Sequence, residues 1–266
     1  MKKIRSIYRL AAFVTSTLTL YGVWLIRDPF VQDKREWRQR IFGAWSRSFA
    51  RISRMQIEVV GVRPEAPFLL VCNHLSYADI AAIRGAVDCV FVAKSEVASW
   101  PVAGPIVRDM GTIFIDRTNR RDIPRAGTEV IERLDAGEGV VVFPEGTSTA
   151  GSTVLPFNSS FLEFAAKRGL GVSFASVTYA TPPGELPAYL AVCWWEDISF
   201  ISHMLRLFTL TGYTAKVTFG EAPVRSDDRK KLARELRDRV AEIFDTTAPS
   251  NLATQNNSPI DAVIGE

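Results

Sequence analysis

Between residues 55 and 244, short β-rich apolar runs alternate with helical stretches, and that alternation limits what the chain can fold into more than any other feature. Runs at 56–62, 68–72, 89–93, 112–115, 139–143, 172–178, 188–194 and 215–219 predict strands, since each is short, apolar and set off by turn residues or a change of period. The stretches between them at 77–86, 96–108, 121–136, 158–168 and 225–244 predict helices. Such alternation implies an α/β domain, a mixed and mostly parallel central sheet flanked by helices. In sheets of this kind ligands collect at the carboxyl ends of the strands. The polar clusters after Cys72, Ala93, Ile115 and Phe143 all occupy that position, so they are expected to converge on one site.

The first 54 residues have a different character. They carry twelve Lys or Arg against three acidic residues, a charge of +9, which leaves −6 for the rest of the 266-residue chain. Such an asymmetry suits a polyanionic surface. Residues 10–26 (LAAFVTSTLTLYGVWLI) hold no charge and are flanked by Arg9 and Arg27. Seventeen residues is short for a span, which takes ~20. Basic residues on both sides favour a segment that dips into one leaflet and returns over a single crossing. No small-residue cleavage site follows, which disfavours a cleaved signal peptide. Beyond Asp33, Trp37, Ile41, Trp45, Phe49 and Ile52 recur at helical spacing with arginines between them. That pattern is read as an interfacial helix on anionic lipid, with packing onto the protein's own core as the alternative. A basic arm also suits nucleic acid, but the uncharged segment beside it makes lipid the expected partner and nucleic acid not.

A hydrophobic content of 47% lies above that of most soluble enzymes and below that of a polytopic membrane protein. The expected organisation is membrane-anchoring helices over 1–54, a catalytic domain over 55–245 and a disordered, Asn-, Ser- and Thr-rich tail over 246–266. Cys72, Cys89 and Cys193 lie in apolar stretches without metal-ligand spacing and read as reduced core residues. No Walker loop, dinucleotide fingerprint, metal cluster or G-x-S-x-G nucleophile elbow occurs, so neither a cofactor nor a metal is expected.

Chemistry concentrates after the 68–72 run, in Asn73-His74-Leu75-Ser76-Tyr77-Ala78-Asp79. The chain has two histidines, and this one has a carboxylate five residues on. A neutral imidazole takes a proton from an alcohol when a carboxylate holds its ring and tautomer. A histidine capping the following helix is the structural alternative. The other histidine, His203, has no acidic residue at catalytic spacing and reads as a surface or packing residue. Trp194, Trp195 and the apolar stretch 198–210 suit either core or an acyl-chain groove.

Two further clusters give the first one a context. Asn73 to Asp79 resembles the N-H-x4-D motif of the glycerolipid acyltransferases, the 1-acyl-glycerol-3-phosphate acyltransferases and their relatives. Gly111-Thr112-Ile113-Phe114-Ile115-Asp116-Arg117 resembles that family's second block, Phe143-Pro144-Glu145-Gly146-Thr147 its third, and Val177-Thr178-Tyr179 stands where a weaker fourth falls. The resemblance implies that His74 is the general base and Asp79 its orienting partner. It also implies that Lys94 and Arg117 bind the acceptor's phosphate, and that Glu145, Gly146 and Thr147 line the acceptor. Arg120 and Arg121 read instead as a solvated charge run. The implied enzyme sits on the cytoplasmic face of the inner membrane. It transfers an acyl chain from acyl-CoA or acyl-carrier protein, as co-substrate, to a lysolipid, with 1-acylglycerol-3-phosphate first. Phosphatidic-acid-forming members usually carry arginine after Glu-Gly-Thr, whereas this chain has Ser148. That departure makes lyso-ornithine lipid or another lysolipid the alternative acceptor.

Overall fold

The computed structural model describes residues 2–116, 119, 121–249 and 252. Seven strands, β1 Met55–Val60, β2 Phe68–Cys72, β3 Val90–Lys94, β4 Ile113–Ile115, β5 Gly139–Val142, β6 Val172–Ala180 and β7 Tyr213–Phe219, form one sheet in the order β1-β7-β6-β2-β5-β3-β4. Every neighbouring pair is parallel except β6 and β7, so β1 and β7 run against the other five. The five co-directional strands bring the segments after Cys72, Lys94, Ile115, Val142 and Ala180 to the same edge.

Burial follows position in the sheet. Every residue of β2 and β5 is buried, because helices cover both faces of these inner strands, and both read as unbroken apolar runs. In β7 Tyr213, Ala215, Val217 and Phe219 are buried, while the residues between them are half-exposed, as a strand covered on one face requires. Alternate β2 residues enter opposite cores: Leu70 and Cys72 join one, Leu69 and Val71 the other. On the first face lie α2 Lys34–Ser53, α3 Ala78–Ala86, α7 Ala188–Ala191 and α8 Phe200–Leu207. On the second lie α5 Asp122–Asp135, α6 Glu163–Lys167 and α9 Arg229–Glu242, the last through Leu232, Leu236 and Val240.

Several expectations require correction. Residues 188–194, expected as a strand, form α7 and an irregular segment, with Val192 N–H on Ala188 O at 2.8 Å. A short buried apolar run has no periodicity to separate strand from helix, and Pro187 stands where a helix begins. The 96–108 helix is a 3₁₀ turn Ser95–Ser99 and a short α4 Ala103–Asp109, broken where Trp100 precedes Pro101 and Val102 takes φ +65°. The 158–168 helix likewise divides into a 3₁₀ turn, Ser159–Leu162, and α6. The stretch 198–210, by contrast, is core, the default expectation for it: it contains α8, with Met204, Leu207, Phe208 and Leu210 at 1% exposure or less.

The largest correction concerns α2. Its apolar face, read as lipid-facing, packs on the protein: Ile41, Phe42 and Phe49 are buried, and Trp37, Trp45 and Ile52 lean on the same core. Ser46 Oγ donates to Ala81 O at 2.7 Å. Arg38 meets buried Glu138 at 2.5 Å, where Arg133 and Gln39 also reach, so this arginine serves the fold.

The apolar segment forms one unbroken helix, α1 Lys2–Arg27, long and apolar enough to cross a bilayer, so no re-entrant break occurs within it. A turn through Asp28–Phe30 leads into α2, against which α1 packs. Phe13 inserts edge-on between Trp45, Phe49 and Phe208. Arg9 donates to Phe208 O and Leu210 O at 3.2 and 2.6 Å, and Tyr21 to Asp109 at 2.7 Å. The opposite side exposes Ile4, Ile7, Val14, Leu18 and Leu25, which fall on one helical face. The expected disordered tail lies mostly outside the described residues. Its first part is ordered, since Thr247 and Ala248 donate their N–H groups to Gly151 O at 2.8 and 3.1 Å.

Candidate active site

The site begins where β2 ends. Asn73, buried at the strand's end, closes a pair with β6: its Nδ2 donates to Val177 O at 2.9 Å and its Oδ1 accepts from Val177 N–H at 2.8 Å. That side chain extends the parallel ladder by one step and releases the next residues into a loop. The loop reaches α3 at Ala78, so Asp79 falls in the first turn, where the helix dipole favours negative charge.

Asp79 is fully buried and fully engaged. Its Oδ2 accepts from His74 Nδ1 at 2.7 Å, Leu75 N–H at 2.8 Å and Ser76 N–H at 3.0 Å, and its Oδ1 accepts from the Tyr179 hydroxyl at 2.6 Å. The acceptor-only carboxylate requires the proton of a neutral His74 to lie on Nδ1, which leaves Nε2 with its lone pair. The ring stacks on Phe143, centroids 4.3 Å apart and planes at 20°, and the side chain keeps 24% exposure. An imidazole held in this tautomer by a carboxylate can accept a proton on Nε2.

Glu145, from the segment after β5, lies beneath the same loop. Its Oε1 accepts from His74 N–H at 3.0 Å and its Oε2 from Leu155 N–H at 3.2 Å. Burial pushes its carboxyl up to about 8, against the pull of those two donors. The glutamate therefore braces the backbone of His74. Gly146 takes φ +80°, a conformation open to glycine at little cost, and Thr147 is exposed. Ser148 Oγ donates to Trp194 O, while Thr149 N–H donates to His74 O at 3.0 Å and ties the two loops together.

His74, Asp79 and Glu145 are thus brought together, with Gly146 and Thr147 beside them. Lys94 is exposed at the end of β3, two strands from β2. Arg117 and Arg120 lie outside the described residues, and Arg121 is exposed. Among the described residues no group of three His, Cys, Asp or Glu is placed to hold a metal ion. The three cysteines are free and buried.

Three further residues support the site, Tyr179 among them from the fourth block. Asn73 lay inside the motif, with no sign that it bridges strands. Tyr179 meets Asp79 from 100 positions away. His203 is a fully buried packing residue whose Nε2 donates to Cys193 O at 2.9 Å, so its Nδ1 accepts from the Tyr77 hydroxyl at 3.0 Å. Burial lowers its pKa to about 4 and keeps it neutral. Tyr77, at the start of α3, is further enclosed by Trp194 and Phe200, and Trp194 N–H donates to Leu75 O at 2.8 Å.

The Acyltransferase family model matches residues 56–180, the stretch that carries these loops. The chain is 32% identical over 255 residues to a lyso-ornithine lipid O-acyltransferase of Brucella abortus, covering 91% of this chain and 94% of that protein. It is 31% identical over 188 residues to a 1-acyl-sn-glycerol-3-phosphate acyltransferase of Neisseria gonorrhoeae, covering 70% and 72%. The crystal structure of the 1-acyl-sn-glycerophosphate acyltransferase PlsC from Thermotoga maritima has the same fold, with a TM-score of 0.61 at 24% identity over 91% of this chain and 97% of that one. The sheet, the loops on its carboxyl edge and these likenesses agree that the chain is an acyltransferase and belongs to the glycerolipid acyltransferase family.

Proposed function

We propose that this acyltransferase esterifies the free hydroxyl of a lysolipid at a membrane surface, with His74 as general base. The observation that carries the reading is the His74 Nδ1 to Asp79 contact of 2.7 Å, which leaves the Nε2 lone pair to take a proton. Nε2 takes the acceptor's hydroxyl proton as its oxygen attacks the thioester carbonyl of acyl-CoA or acyl-carrier protein. The carbon–sulfur bond breaks, and the imidazolium returns the proton to the departing thiolate. Asp79 stabilises the imidazolium between these steps, and the substrate's own oxygen replaces a serine nucleophile.

The favoured acceptor is a lyso-ornithine lipid. Relatives of that name match over most of this chain, and Ser148, bonded to the Trp194 carbonyl, supplies no cation for a phosphomonoester. The relatives that act on 1-acyl-sn-glycerol-3-phosphate support the second reading, in which Lys94 and Arg117 bind the phosphate. Assay of the full chain with both lysolipids, each with acyl-CoA and acyl-carrier protein, decides between them. A higher kcat/KM for lyso-ornithine lipid is expected, and a preference for 1-acylglycerol-3-phosphate would overturn the first reading.

For the membrane, α1 carries the proposal. It is held to the segment after α8 through Arg9 and to α4 through Tyr21, so it lies along the domain with Ile4, Ile7, Val14, Leu18 and Leu25 outward. A helix strapped to a polar domain along its length suits burial of one face in the cytoplasmic leaflet of the inner membrane.

A further inference from the structure

A carboxylate that orients a base has two oxygens, and in a dry site both need donors. On Asp79 the donors are unequally divided. Oδ2 takes His74 Nδ1 and two backbone N–H groups, whereas Oδ1 takes the Tyr179 hydroxyl at 2.6 Å. Torsion about Cβ–Cγ decides whether Oδ2 stays in line with the imidazole, and the tyrosine's bond to the far oxygen resists that torsion.

Tyr179 is itself held. It is 4% exposed, it pairs with Ala215 across β6 and β7, and its backbone N–H donates to Thr247 Oγ1 at 3.2 Å. Thr247 N–H in turn reaches Gly151 O at 2.8 Å, so the segment after α9 links the end of β6 to the Glu145 loop. Gly151 is needed there: at φ +80°, an added Cβ would lie 2.8 Å from Thr247 Cβ. Burial, and then the charge of Asp79, hold the Tyr179 phenol well above its ordinary range, so it remains a donor throughout the pH range of the reaction.

We infer that Tyr179 is a positioning residue for acyl transfer, fixing the Asp79 carboxylate through Oδ1 so that Oδ2 holds the His74 imidazole in its reactive tautomer. This deepens the reading of His74 as base and rests on it. A second consequence follows from charge. The phenol withdraws electron density from Asp79, so its loss leaves a more basic carboxylate and a more stable imidazolium.

The other titratable groups facing Asp79 are Cys72 at the end of β2, Cys193 after α7, Tyr213 on β7 and Glu145. Burial raises both thiols and the Tyr213 phenol, so they stay neutral in the assay range. Glu145, at about 8, titrates within that range in both proteins and is controlled by comparing variant with wild type.

The test is Tyr179→Phe in the full chain, with kcat and KM for lysolipid measured between about pH 5.5 and 9. Loss of one charge-assisted bond should lower kcat about ten- to a hundredfold with KM within about twofold, and move the acid limb of kcat/KM up by about half a unit or more. Unchanged kcat with an unmoved limb would overturn the inference. His74→Ala, run beside it, separates the two claims. If His74→Ala is inactive and Tyr179→Phe behaves as wild type, only the positioning role fails; if His74→Ala turns over normally, the base itself is wrong. Should Tyr179→Phe not fold, 3-fluorotyrosine at position 179 gives a stronger donor of nearly the same shape. The inference then requires the acid limb to move down, and an unmoved limb refutes it.

Discussion

Replacing Glu145 by glutamine tests the floor of the site. Its carboxyl rises from an ordinary 4.5 to about 8, chiefly through burial. A group whose folded-state pKa is raised contributes stability that is fully present below the unfolded value and lost as pH rises through the folded one. The window here is therefore about pH 4.5 to 8. With each unit worth about 1.4 kcal/mol, the wild type loses roughly 4–5 kcal/mol across it relative to a side chain that does not titrate. Glu145→Gln removes that dependence and turns its amide NH2 toward one of the two backbone donors, from His74 and Leu155. For a chain of this size ~1 kcal/mol moves the thermal midpoint by roughly 2–4 °C. The difference in midpoint, wild type minus variant, should thus fall by roughly 10 °C between pH 5 and 8 in detergent solution. Activity should fall about tenfold, since a lost hydrogen bond to the His74 backbone is worth about 1 kcal/mol or slightly more. A midpoint difference that is flat with pH would refute the burial argument, and one that rises with pH would reverse its sign.

Two further variants probe the surface and the acceptor pocket. Val14 and Leu18 are 45% and 48% exposed on α1, so the double variant Val14→Lys, Leu18→Lys should fold. Removing two side chains worth ~1.5–3 kcal/mol each on burial should weaken sedimentation with anionic vesicles at least about tenfold; undiminished binding would exclude this face as the lipid contact. Ser148→Arg restores a cation beside the loop, and a charge-assisted bond to phosphate of ~1.5–3 kcal/mol should raise the kcat/KM for 1-acylglycerol-3-phosphate relative to lyso-ornithine lipid by about tenfold or more. An unchanged ratio would place the phosphate elsewhere.

The inner sheet was readable from sequence because strands covered on both faces must be apolar throughout, as Phe68–Cys72 and Gly139–Val142 are. The dyad was readable because His74 and Asp79 lie within one strand-to-helix turn, where sequence spacing and spatial distance agree. Two kinds of information were not available. Periodicity shows that α2 has an apolar face but not what covers it, and the same Trp, Ile and Phe suit lipid or a core; the partner of Arg38, Glu138, lies a hundred residues away. Residues 188–194 are apolar without a period, so only their packing makes them helix and loop. Glu145 was legible as a site residue, but its bonds to the backbone N–H groups of His74 and Leu155 carry no sequence signal. Tyr179 stands in the fourth block, but its bond to Asp79, like that of His203 to Tyr77, depends on folded distance.

The central claim is that His74 takes the proton from the acceptor's hydroxyl. Steady-state acyl transfer by His74→Ala, in the full chain with a thioester donor and lysolipid, tests it most directly. General-base removal predicts a fall in kcat of about 10² to 10⁴ with little change in KM, and the thermal midpoint and vesicle binding should be retained. Turnover within a few fold of the wild type would contradict the account.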